Sequence, residues 1–162
     1  VSLIADSNTD GRTRVSSIPS ISNIAAPTVA ELNAGVALEG LITPDGVVGF
    51  EPDSGDVDNS KLNSTFSTTA AGRVSFSGTM LRLIKQTGTD SVYNTLVYGF
   101  ATNIVIRRDV TSSTAWTIGD KVEVYPVQCG EVRNLAPESN AVHKYEIVAK
   151  ITSQPNLRAT VA

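Results

Sequence analysis

Chemistry in this chain would have to begin with one histidine, His143, and one cysteine, Cys129. They lie in two apolar-alternating runs, residues 121–129 and 143–151, which read as paired strands, so thiol and imidazole could meet across a hairpin as a thiolate site. The competing reading is that Cys129 is a small hydrophobe and that His143, on the apolar parity of its run, is a packing residue. A lone cysteine permits no intramolecular disulfide, and the two residues make no zinc-ligand spacing. No metal or other cofactor is expected.

The other reactive groups are charged. Glu51, Asp53, Asp56 and Asp58 are four acids with no intervening base. A calcium loop would need ordered ligand spacing and a closing glutamate at its twelfth position; both are missing, so the stretch reads as a solvated acidic loop. Paired carboxylates there could not act as a glycosidase pair without a rigid scaffold. Arg107–Arg108 could clamp a phosphate, but two arginines near a strand end serve equally as an interface ion-pair element or as an edge guard. Neither GxxxxGK[ST] nor GxGxxG occurs. Enzymatic activity is not expected.

The elements that must position these groups are mostly strands. At 143–151, His143, Tyr145, Ile147, Ala149 and Ile151 share one face, with Lys144, Glu146, Val148 and Lys150 on the other. At 121–129 the apolar set changes face near Tyr125–Pro126: Val122 and Val124 belong to one environment, Val127 and Cys129 to another. Pro126 cannot donate a ladder hydrogen bond and is expected at a bulge or an edge. Earlier in the chain, Thr28 with Glu31 forms a capping-box signature for a two-turn helix stopped at Gly35. Residues 36–42 read as a strand ending in the turn Thr43–Pro44–Asp45–Gly46. Residues 73–85 read as one strand whose parity switches after Gly78, residues 91–98 as a short helix, and residues 102–110 as a strand with Ile104 and Ile106 inward.

A chain of 162 residues with 41% hydrophobic and 18% charged residues suits one mostly β domain. Within it, residues 1–26 form an N-terminal arm, 27–152 a β core with a long loop at 45–72, and 153–162 a C-terminal tail. The N-terminal stretch lacks a signal-peptide pattern and no run has membrane-spanning length, so the expectation is a soluble product made in the cytoplasm, without a membrane anchor. Net charge is −3, unevenly placed: nine acids against two bases in residues 1–60, and eleven bases against seven acids in 61–162. Opposite-signed halves can complement neighbouring subunits. Without a basic stripe, tight binding to nucleic acid is disfavoured.

The segments APTVAELNAG, GRVSFSGTMLRLI and DSVYNTLVYGFATNIVIRRD, and above all GDKVEVYPVQCGEVRNLAPESNAVHKYEIVAKITSQP, resemble the major tail (tail tube) proteins of long, non-contractile-tailed bacteriophages of the kind infecting actinobacteria. The likeness runs over residues 26–155. It implies a β-sandwich or barrel-like core with one or two short flanking helices. It also implies hexameric rings stacked into a tube through which the genome passes without being held, within a virion tail that includes tape measure and terminator proteins. The family has no catalytic motif to carry over. Candidate inter-subunit contacts are Glu51, Asp53, Asp56 and Asp58 against Arg107 and Arg108 of a neighbour, with Tyr125 and Val127 where the penultimate strand changes face. Another virion role (tail terminator, connector or capsid decoration protein) and a carbohydrate-binding β-sandwich module are the alternatives. The last would need exposed aromatics from among Trp116, Tyr93, Tyr98, Tyr125 and Tyr145.

Overall fold

The alternating runs of this sequence do form strands, and the computed structural model, which describes residues 2–162, places them in an antiparallel sheet. In chain order the elements are β1 (Arg14–Ile18), α1 (Val29–Asn33), β2 (Val36–Ala37), β3 (Ile42–Val48), β4 (Asp53–Asp58), β5 (Thr69–Ser75), β6 (Met80–Ile84), α2 (Ser91–Thr95), β7 (Ala101–Arg107), β8 (Lys121–Asn134), β9 (Lys144–Ile151) and β10 (Asn156–Thr160). The main sheet runs β2-β1-β7-β8-β9-β6-β3, with β10 also on β8; β4 and β5 pair only with each other. Its first and last strands are joined by residues 38–41, a link of at most about 14 Å. Leu38 N–H donates to Val15 O of β1 at 2.8 Å, and Leu41 O accepts from Ile84 N–H of β6 at 2.8 Å. The sheet therefore curls into a barrel-like wall.

Two apolar clusters result, one on each side of that wall. The inner one holds Val15, Leu81, Leu83, Ile104, Ile106, Tyr125, Val127, Cys129, Tyr145 and Ile147, with Val92 and Leu96 from α2 and its C-terminal cap. The outer one packs Ile18, Val105, Val122 and Val124 under Leu32 of α1, Trp116, Ala159 and Val161. The two environments foreseen for β8 exist, and both lie within the chain. Even positions of its first half face α1 and the C-terminal strand, while odd positions from Tyr125 onward face the barrel interior.

Pro126 is neither at a bulge nor at an edge. On one side β7 runs past it without interruption, with Asn103 opposite. On the other side β10 pairs as far as Val124 and β9 begins at Val127. The Pro126 carbonyl accepts from Thr152 N–H at 3.0 Å, which puts its missing N–H on that same side, in the gap between the two partners. No ladder bond is lost. The bulge in β8 falls later, between Cys129 and Val132.

Local rules account for the helices. Thr28 Oγ1 accepts from Glu31 N–H at 3.2 Å, and Glu31 Oε2 accepts from Thr28 N–H at 3.0 Å, completing the capping box. Gly35, however, is not left-handed. It is glycine because any Cβ would run into the Ile18 side chain and would lie 2.7 Å from Ser17 O. Asp90 caps α2, accepting from Tyr93 N–H at 3.1 Å and Gln86 N–H at 2.9 Å.

Several expectations are corrected. Residues 14–18 belong to β1, between β2 and β7 in the main sheet, and 156–160 to β10, so arm and tail are shorter than the sequence implied. The turn formers Thr43–Gly46 lie inside β3, where the register with β6 shifts between Ile42 and Val47. The long loop at 45–72 is largely the β4–β5 hairpin. The expected strand at 73–85 is two strands, with Gly78 (φ 65°) between them. Gly78 meets Gly49 (φ 76°) at the hairpin neck, where a Cβ on Gly49 would lie 2.5 Å from Gly78 O. Gly49→Ala is therefore expected to lower the unfolding free energy by about 1–3 kcal/mol, measured by urea denaturation; unchanged stability would contradict this account of the neck.

Candidate functional site

The residues proposed for subunit contacts divide into two groups. Arg107, Tyr125 and Val127 are buried in their own chain, at 0%, 0% and 2% exposure. The Arg107 guanidinium donates to Asp120 Oδ2 at 2.9 Å and to the carbonyls of Thr111 (3.2 Å), Thr114 (2.6 Å) and Ala115 (3.1 Å). It also stacks 4.9 Å from the centre of the Trp116 ring, whose surroundings include Arg14 at 4.6 Å. Arg107 therefore organises the β7–β8 connection through its two terminal nitrogens, and its remaining donor, Nε–H, is buried out of reach of a neighbour's carboxylate. Arg108 is half-exposed and already holds Glu123 Oε2 at 2.8 Å. Tyr125 hydrogen-bonds Phe50 O at 3.2 Å and packs edge-on against Phe50 and Phe76.

The thiolate reading fails on geometry. Cys129 is buried in the inner core opposite Ala149, and burial pushes its thiol pKa up. His143 is exposed and precedes β9, so six residues of extended chain, about 20 Å, separate it from Ala149. An aromatic platform for glycans is not assembled either: Trp116, Tyr125 and Tyr145 are all buried. Among the described residues, no group of three or more His, Cys, Asp or Glu side chains is placed to hold a metal ion, and no helix is long and apolar enough to cross a membrane.

Glu51, Asp53, Asp56 and Asp58, by contrast, are exposed. Strand pairing gives Asp56 and Asp58 a common face, and Asp53, three positions before Asp56 in the regular strand β4, falls on the other. Asp58 lies opposite Thr69, Asp56 opposite Ala71, and, after a register shift between Ser54 and Asp56, Asp53 opposite Ser75. Val57 and its partner Ala70 are on the other face, whereas Val74, opposite Ser54, is on the side of Asp56 and Asp58; Val57 and Val74 are 49% and 64% exposed. At the tip, Leu62 and Phe66 stand fully and largely in solvent. Toward its tip the hairpin thus carries Asp56 and Asp58 on one face and Val57 and Ala70 on the other, and its residues are exposed on both. The sequence reading missed it because it looked for burial, and here there is none to create an alternation.

A second exposed segment is the start of the chain. Its base is fastened to the β7–β8 connection by Ser7 on Asp109, by Arg12 on the Asp109 carbonyl, and by Ser112 N–H on Gly11 O at 2.8 Å. Beyond that anchor Leu3 and Ile4 are exposed.

The chain is thus a barrel-like β core with an exposed hairpin and an exposed N-terminal stretch outside it. The chain belongs to the phage tail tube protein family, whose model matches residues 2–162. It is thus a structural protein of a phage tail and a component of the virion. Among solved structures, a chain of the cryo-EM structure of the anti-feeding prophage (AFP) baseplate, 6-fold symmetrised, shares the fold: TM-score 0.55 and 10% identity, over 94% of this chain and 96% of that one. No curated protein sequence matches.

Two outcomes follow for the Arg107 site. Removing Arg107 takes the cation from a partly buried carboxylate and a donor from each of the Thr111 and Ala115 carbonyls, so Arg107→Ala should cost about 3 kcal/mol, whereas Arg108→Ala, at an exposed pair, should cost at most about 1 kcal/mol; urea denaturation checks both. Burial alone would raise the Asp120 carboxyl, but hydrogen bonds from Thr117 N–H and hydroxyl, together with the Arg107 guanidinium, hold it below the ordinary range. A lowered folded-state pKa means stability is fully present above the unfolded value and is lost as pH falls through the folded one. Stability should therefore decline from about pH 4 downward, and Asp120→Asn should flatten that decline while lowering stability at neutral pH.

Proposed function

We propose that this subunit closes into six-membered rings that stack as the tail tube, the conduit for genome ejection, in a long non-contractile tail of the actinobacterial-phage type. The observation that carries this reading, beyond family membership, is the two-faced β4–β5 hairpin, which projects from a closed core with both faces unpartnered. An isolated two-stranded hairpin is at best marginally stable in water, so its sequence makes sense when a neighbour covers it. The 6-fold symmetrisation of the structurally similar baseplate chain supports sixfold closure. The uneven charge and the absence of a basic stripe suit a lumen through which DNA slides without binding. Tape measure and terminator proteins are the further partners, and assembly takes place in the host cytoplasm.

Within the rings, Glu51, Asp53, Asp56 and Asp58 and the Leu3–Ile4 arm make the ring-to-ring contacts. Arg107 does not: reversing its charge would unfold the subunit rather than interrupt growth. Because Asp53 and Ser75 are paired at the base of the hairpin, a short Gly-Ser link can join them in place of residues 54–74, leaving Phe50 and Phe76 against Tyr125. Electron microscopy of the concentrated protein should show stacked rings with a central hole. The hairpin-less variant should remain folded by circular dichroism and fail to stack. Persistent wild-type monomers, or undiminished stacking without the hairpin, would contradict the proposal.

A further inference from the structure

At the foot of the hairpin lies an open groove of about 1260 Å³, bounded by the hairpin base, the start of β6 and the ends of β8 and β9. Its apolar lining includes Phe76, Met80, Val148, Ile151 and Leu157, and its cations are Arg133 and Lys150. Lys150 is in no ion pair among the described residues, and Arg133 holds only the exposed Glu131. The hairpin's own apolar tip cannot fill this groove. Strands of six and seven residues put Leu62 and Phe66 about 20 Å from the base.

We infer that the groove receives the hairpin of a second copy of this chain, with Leu62 and Phe66 entering among Phe76, Val148 and Ile151 while Asp56 and Asp58 face Lys150 and Arg133. The inference rests on the tube reading and adds the receiving site, which the loss of Arg107 as a candidate leaves open. Three features favour a second copy as the occupant. The donor carries large exposed apolar groups at its tip, the receiver is an apolar floor with cations at its wall, and the acidic face of the donor complements those cations. Donor and receiver are different surfaces of one molecule, so the contact is heterologous, and under the tube reading it runs from one ring to the next. Repeated, it builds an open-ended stack.

A chain carrying both Phe66→Cys and Ile151→Cys, mildly oxidised, tests this, since the native Cys129 is buried. The result expected is a ladder of disulfide-linked oligomers on a non-reducing gel, absent from either single variant. In parallel, Arg133→Glu with Lys150→Glu should reduce sedimentable polymer roughly tenfold or more, and adding Asp56→Lys with Asp58→Lys in the same chain should restore it. Wild-type rings that stack in the microscope, with no ladder and no effect of the charge reversals, would overturn the groove and leave the tube standing. A ladder without stacked rings would keep the groove and overturn the tube. Neither stacking nor a ladder would overturn both.

Discussion

The structure depends on β8 being buried on both sides by different parts of the same chain. Along one edge it pairs with β7 throughout the shared register; along the other it pairs first with β10 and then with β9. Its first half is sealed from outside by α1, Trp116 and the C-terminal residues, its second half from within by the barrel core. This arrangement sets the places of the surrounding elements. The chain end must return to cover Val122 and Val124, the sheet must curl to cover Tyr125 and Val127, and a proline is tolerated only at the handover between β10 and β9, where no partner asks for an N–H. The Arg107 network sits directly upstream. It fixes the connection through which the chain turns from β7 into β8, using a buried cation to donate to three loop carbonyls.

With the interior so fully committed, the capacity to assemble is carried by what projects. The β4–β5 hairpin leaves the sheet at a neck where two glycine backbones touch, a contact that a side chain at Gly49 would prevent. Beyond the neck, strand register alone sorts Asp56 and Asp58 to one face and Val57 and Ala70 to the other. That division is informative in a protein whose known family builds tubes: an acidic face and an apolar face on one thin ribbon can each meet a different surface, and the groove at the ribbon's foot offers a surface with apolar and cationic parts. Under the proposed assembly the hairpin is stabilised by its neighbour, and the free subunit is folded with this ribbon exposed.

What was legible in the sequence follows from which residues carry a one-sided signal. The capping box at Thr28 and Glu31, the inward Ile104 and Ile106, and the divided loyalties of β8 could all be read, because each is a local pattern with a local cause. β1 could not, since Ser16 and Ser17 are buried polar residues: Ser17 and Thr102 share a hydrogen bond of 2.7 Å in the interior, and a serine pair reads as surface. The turn formers Thr43–Gly46 were misread because the same residues also serve a bulge. The candidate site was legible by composition, as four acids without a base, but not by geometry. Arginines adjacent in sequence have opposite fates, Arg107 inside and Arg108 at the surface, because Arg107 is the last residue of β7, paired with Arg14 of β1, and Arg108 lies beyond the strand's end.

Amide hydrogen exchange compared between free subunits and assembled protein tests the central claim most directly, since it reads the core and the hairpin in one experiment. The account predicts that β7 and β8 amides are slow to exchange in both states, while residues 53–75 exchange rapidly in free subunits and become protected on assembly. A hairpin already protected in the free subunit, or one still exchanging rapidly within the polymer, would contradict it.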